Sequence, residues 1–128
     1  MRNDLKYIDV DEIIEIHDYL IETQGGLPGI RDRDQLESIC AHIQNDDYYP
    51  AISDKLAHIS FGIITGHVFS DACKRTSLAV CATFLLRNFS EDLSNKYIIE
   101  MEDILVQVAD GLLNQNQLKQ IIHKIVEF

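Results

Sequence analysis

Apolar residues along this chain recur mostly three and four positions apart, the spacing of one helix face. Ile13, Ile14, Ile16, Leu20 and Ile21 mark a first helix, which Asp9 or Asp11 can cap and which Gly25 and Gly26 end. Leu36, Ile39, Cys40 and Ile43 mark a second, with Asp32 or Asp34 as its cap. Ser53 is placed to cap a third, which runs through Leu56, Ile59, Phe61, Ile63 and Ile64 and stops at Gly66. Residues 78–86 are apolar on every side, which predicts a helix buried in the middle of the fold. Residues 87–94 are a polar break, after which Ser94 or Asn95 starts a helix carrying Tyr97, Ile98, Met101, Ile104, Leu105 and Val108 and ending near Gly111. A last helix, capped around Asn114, carries Leu118, Ile121, Ile122, Ile125 and Val126. No segment sustains the alternation of a strand, so the expectation is an all-α fold of six helices without a sheet.

The segments between helices add detail. Residues 1–9 read as a short lead-in, with Tyr7 and Ile8 packing on the rest. Residues 26–32 carry the glycines and proline of a fixed, compact connection, in which Arg31 either reaches a phosphate or pairs with a local aspartate. His17 reads as a helix-surface or packing histidine, His58 as a packing one and His123 as a surface one.

At 128 residues the chain is expected to form a single domain, residues 1–128, around one core. The formal charge of −10, from 21 acidic and 11 basic residues, repels a nucleic-acid backbone over most of the surface. Direct nucleic-acid binding is therefore not expected, and the acidity fits either a solvated surface or a basic protein partner. No apolar run is long enough to span a bilayer, and Met1-Arg2-Asn3-Asp4 opens no signal-peptide pattern, so the expectation is a cytoplasmic protein without membrane contact. Cys40, Cys73 and Cys81 form no C-x-x-C pair, which fits a reducing compartment and indicates no structural zinc site.

The chemistry concentrates in His67-Val68-Phe69-Ser70-Asp71-Ala72-Cys73-Lys74-Arg75-Thr76. An imidazole, a carboxylate and two cations sit there between two apolar segments, on a loop leading into the start of the buried helix. Helix starts offer unpaired N–H groups and a positive dipole end, so the stretch reads as a phosphate site, with Lys74 and Arg75 adding full charges. Asp71 is a hard oxygen ligand suited to a magnesium ion shared with nucleotide phosphates. Ala72 is small enough for close backbone approach, Phe69 is a structural anchor for the loop, and His67 has the reference pKa of a general base at neutral pH.

The run H-x-F-x-D-A-x-K-R-T resembles the signature of the Fic/Doc superfamily, and the lysine before the arginine is similar to the Doc, or death-on-curing, branch of toxins. Residues 25–32, with Gly25-Gly26-Leu27-Pro28-Gly29, resemble the amino-terminal segment of that family, and the helix lengths match over nearly the whole chain. The resemblance implies the Fic/Doc fold and transfer of part of a nucleoside triphosphate, such as ATP, to a protein hydroxyl with Mg2+ present. It makes His67 the general base, Asp71 the magnesium ligand, Lys74 and Arg75 the catalytic phosphate clamps, and Ala72 and Cys73 donors of backbone N–H contacts. A known target in the Doc branch is a threonine of elongation factor Tu. In Fic-like proteins a flap aligns the target backbone, so residues 44–50 are a candidate docking edge; otherwise they are a plain connection with two half-buried tyrosines, Tyr48 and Tyr49.

Two departures refine this. Family members generally carry asparagine where this chain has Cys73, and a thiol is a poor substitute for an amide donor. The change implies attenuation, with ordinary drift, a redox-sensitive off switch or a degenerate fold that only binds a partner as other readings. Adenylyl-transferring Fic proteins carry a glycine at the place of Lys74 and an arginine at the place of Leu78. Both differences resemble Doc, which favours phosphoryl transfer over nucleotidyl transfer. No segment resembles the inhibitory helix of many Fic proteins, so a separate antitoxin chain with a short amphipathic segment is the implied partner.

Overall fold

A computed structural model of the chain describes residues 4–127. Among them the polypeptide forms six helices and no strand: α1 (Val10–Gln24), α2 (Arg33–His42), α3 (Ile52–Thr65), α4 (Cys73–Asn88), α5 (Glu91–Ala109) and α6 (Gln115–Val126). One isolated antiparallel bridge joins Ile30 to Phe69. The start of the lead-in, residues 1–3, lies outside the described residues, while Ile8 is buried and Tyr7 packs on the core.

Caps explain most of the helix starts. Asp9 accepts from the Glu12 N–H at 2.9 Å and opens α1, Asp32 accepts from Gln35 N–H at 3.0 Å and opens α2, and Asn114 accepts from Gln117 N–H at 2.8 Å and opens α6. The start of α5 differs from the sequence expectation. Ser90 is its N-cap, accepting from Leu93 N–H at 3.1 Å, so the polar residues Glu91 and Asp92 form its first turn, where carboxylates favour the helix dipole. Ser94 lies inside that helix and donates to the Ala82 carbonyl at 2.8 Å.

Ser53 is likewise not the cap of α3. Ala51 holds the N-cap position, and Asp54 accepts from the Ala51 N–H at 2.9 Å. The Ser53 N–H donates to Glu127 Oε1 at 2.9 Å, so an acid from the far end of the chain closes this helix start.

Helix α4 is the axis of the fold because it has no polar side to turn to solvent for most of its length. It packs against α1, α3 and α5, and Val80, Cys81, Phe84 and Leu85 are fully buried there. Helix α3 packs against α2, α4, α5 and α6. Burial pushes the Cys81 and Cys40 thiols up to about 11, so both act as small apolar residues. Among the described residues no helix is long and apolar enough to cross a membrane.

Candidate active site

The loop between α3 and α4 is held by the connection between α1 and α2. Arg31 N–H and Asp32 N–H donate to the Val68 carbonyl at 2.7 and 3.1 Å, and Ser70 N–H donates to Gly29 at 3.1 Å. These bonds zip the glycine-rich segment to residues 68–70, making one backbone unit out of two stretches about forty residues apart in sequence.

Phe69 is 2% exposed and stacks on the ring of His17, with centroids 4.0 Å apart and planes 7° apart. His17 Nε2 donates to the Asp71 carbonyl at 3.0 Å, and Nδ1 lies 3.2 Å from Asp18 Oδ1. His17 is therefore a packing histidine that also fixes the loop backbone. The signal was its place on the buried stripe of α1 with Ile13 and Leu20.

Both ends of the loop are in the left-handed region. Gly66 closes α3 with an ordinary φ of −79°, so the turn is made at His67 instead, at φ 48°. Ala72, the N-cap of α4, has φ 64°. Two non-glycine residues in this conformation store about 1–3 kcal/mol each, a cost that surrounding contacts must over-determine.

Helix α4 starts without a side-chain acceptor. Four other helix starts are closed by their own N-cap side chains and α3 by Glu127. The first-turn N–H groups of α4, with the positive end of its dipole, are therefore open to an external anion.

A cavity of about 440 Å3 lies over this helix start. His67, Asp71, Ala72, Cys73, Lys74 and Arg75 all line it together with Phe69, so every site residue expected from the sequence is brought to one place. Its other walls are Arg31, Thr65 and the carboxy end of α5 at Val108, Ala109 and Gly111. Asp32 Oδ1 is occupied as the cap of α2, and Arg31 forms no ion pair with it or any other acid among the described residues.

Asp71 is held as an anion. Its Oδ2 accepts from Leu27 N–H at 3.0 Å and its Oδ1 from Ala72 N–H at 2.7 Å, and these two backbone donors, in that order, keep its carboxyl below the usual carboxylate range. Arg75 donates to the Gly25 carbonyl at 3.2 Å and to Gln24 Oε1 at 3.3 Å, so its guanidinium is tied to the end of α1. Cys73 donates its S–H to the Phe69 carbonyl at 3.4 Å. The parts played by Leu27 and Gly26 beside Asp71 are long-range, and nothing local in the sequence points to them.

Residues 44–50 belong elsewhere. Lys55, 1% exposed, donates to Ile43 O at 2.6 Å and to Asp46 Oδ1 at 2.7 Å, pinning the connection to α3. Tyr48 and Tyr49 line a separate hollow with Asp54, Gln115 and Lys119, and none of these residues borders the His67 cavity. The segment is a connection between α2 and α3.

A second hollow, of about 480 Å3, lies between α1, α4 and α5. Its walls are largely apolar, with Leu20, Leu78, Ala79, Ile98 and Val106. Lys74 and Arg75 border both this groove and the His67 cavity.

A magnesium ion fits Asp71 as a single protein ligand: the carboxylate is ionised, and each oxygen keeps a lone pair beyond its backbone donor. Among the described residues there is no group of three or more His, Cys, Asp or Glu that could hold a metal alone, so the other ligands would come from phosphate oxygens and water.

The chain is 29% identical over 124 residues to "Protein kinase doc" of Escherichia phage P1, covering 94% of this chain and 96% of that protein. A model of the Fic/DOC family matches residues 7–85, from the lead-in through α1, α2, α3 and the motif to most of α4. The matched span is well over half of the 128 residues and contains the zipped loops, the open helix start and its two cations: the chain belongs to the Fic/DOC family.

Proposed function

We propose that this protein is a Doc-like protein kinase, the toxin of a toxin–antitoxin pair, that moves the terminal phosphoryl group of a nucleoside triphosphate to a hydroxyl of a target protein. The observation that carries the reading is the convergence of His67, Asp71, Lys74 and Arg75 on one cavity at the one uncapped helix start among the described residues. Phosphoryl transfer needs an in-line hydroxyl, a fixed donor and neutralised charge, and these groups can supply each.

The nucleotide phosphates lie on the first-turn N–H groups of α4, with the backbone of Ala72 and Cys73 close by and Lys74 at their side. Arg75 exchanges its contacts with Gln24 and Gly25 for phosphate oxygens. Magnesium bound at Asp71 would neutralise charge on the phosphate oxygens. His67 takes the proton of the target hydroxyl as its oxygen bonds to the terminal phosphorus. The bond from that phosphorus to the bridging oxygen breaks, and a nucleoside diphosphate leaves. Leu78, where nucleotidyl-transferring relatives carry a second arginine, faces the apolar groove, which supports transfer of the terminal group.

The groove between α1, α4 and α5 fits an antitoxin segment: an amphipathic helix can bury its apolar side on Leu78, Ile98 and Val106 and place a carboxylate near Lys74 and Arg75. Elongation factor Tu is the proposed target.

Cys73 favours a second reading, a retained fold that only binds its partner, because its thiol is spent on the Phe69 carbonyl and offers the phosphates no amide. One experiment separates the readings. The protein is incubated with magnesium and ATP labelled at either the α or the γ phosphate, in an extract stripped of small molecules. The kinase reading expects protein-bound label from γ alone and none with His67→Ala. Label from α would mean nucleotidyl transfer, and label from neither would favour the binding role.

A further inference from the structure

Arg31 stands outside the motif, yet it borders the same cavity as His67 and Lys74. Its backbone is among the best-fixed parts of the site, since its N–H donates to Val68 at 2.7 Å and the next residue's N–H donates to the same carbonyl. The loop therefore cannot carry Arg31 away from His67 without breaking the zip between the two segments.

Its charge state of partnership is equally informative. Among the described residues, Arg33 pairs with Asp11 and Glu37, Arg87 holds Glu12, and Arg75 is tied to Gln24 and Gly25. Arg31 alone of the described arginines has no hydrogen bond or ion pair from its guanidinium, in a chain with nearly twice as many acids as bases. The nearest candidate in sequence, Asp32, is committed to capping α2. An arginine whose backbone is fixed at the wall of an anion cavity, and whose guanidinium has no partner, is suited to bind an anion there.

Lys74 and Arg75 approach that cavity from the helix start, whereas Arg31 approaches from the loop bound to residues 68–70, beside His67. We propose that Arg31 is a third phosphate-binding cation, contributed by the α1–α2 connection, and that it contacts the terminal phosphoryl group of the nucleotide. This rests on the phosphoryl-transfer reading for its role, although not for its test. The guanidinium offers planar, paired donors to two phosphate oxygens, and it adds positive charge where the transferred group meets the target hydroxyl.

The test compares the affinity of ATP and ADP, each with magnesium, for the native chain, Arg31→Ala and Arg31→Lys, with phosphoryl transfer measured on the same samples. Arg31 is exposed and its side chain makes no hydrogen bond or ion pair, so both variants should keep the native urea midpoint. The inference expects Arg31→Ala to bind ATP about 10-fold more weakly while ADP changes less than about 2-fold, with Arg31→Lys between. Unchanged ATP affinity, equal losses for ATP and ADP, or a native chain that binds neither nucleotide would each overturn it. The two readings fail separately: an ATP-selective loss in a protein that transfers nothing sinks the kinase and keeps Arg31 as a phosphate ligand. Transfer that continues with full ATP preference in Arg31→Ala does the reverse.

Discussion

Replacing Gly26 by alanine should damage the candidate site from a position that lies outside its motif. Gly26 has φ +123°, and a Cβ added there would sit 2.7 Å from Asp71 Oδ2, 2.9 Å from Ile21 Cδ1 and 3.1 Å from Arg75 Nη2. Ordinary contact needs about 3.5–4.0 Å, so Asp71 and Arg75 must both move. Gly25 supplies the control, because its φ is +85° and a Cβ there meets nothing within 4 Å. Either alanine carries backbone strain of about 1–3 kcal/mol, offset by about 0.4–1 kcal/mol from the restricted unfolded chain. Urea unfolding should therefore report a modest loss for Gly25→Ala and at least as large a loss for Gly26→Ala. Calorimetric titration with ATP and magnesium should divide them sharply: Gly25→Ala keeps its affinity, and Gly26→Ala loses about 10-fold or more as its carboxylate and guanidinium are displaced. Equal affinities in the two variants would refute the claim that the α1–α2 connection sets the position of these side chains.

Three further outcomes are expected. Cys73→Asn should raise phosphoryl transfer by about 10-fold, measured as initial rate with γ-labelled ATP, by returning an amide donor to the cradle; an unchanged or lower rate would mean the thiol is not what limits the site. Lys55→Met should cost about 3 kcal/mol in urea unfolding, because it leaves the Ile43 carbonyl without its buried donor and Asp46 without its cation, while transfer by the folded fraction persists. His58 is held below the histidine value of 6.5 by burial and then by His42, 3.0 Å away through their ring nitrogens. The unfolded chain then binds the proton more readily, so this contribution is complete above about 6.5 and fades as pH falls through the lower folded value; His58→Gln should flatten that limb of the stability–pH curve.

The helices were legible because burial in this fold follows one period. α4 announced its central place by having no polar face, and the motif announced its chemistry by putting four ionisable groups between two apolar segments. What sequence left out was non-local. Glu127 closes α3 across 74 positions and replaces Ser53 as the expected cap. Leu27 holds Asp71 across more than forty positions and Gly26 leaves room for its carboxylate, with no periodicity to mark either. The start of α5 was missed for a local reason: Glu91 and Asp92 look like loop by polarity, yet acids belong in a first turn once Ser90 is the cap. The buried Lys55 that fastens the 44–50 connection to α3 carries no local mark in the sequence either.

The most direct test of the account is the intact mass of purified elongation factor Tu after incubation with this protein, magnesium and ATP, beside His67→Ala and Cys73→Asn samples. The account predicts a gain equal to one phosphoryl group that disappears with His67→Ala and grows with Cys73→Asn. A gain equal to a nucleotidyl group, or a phosphoryl gain that survives the loss of His67, would contradict it.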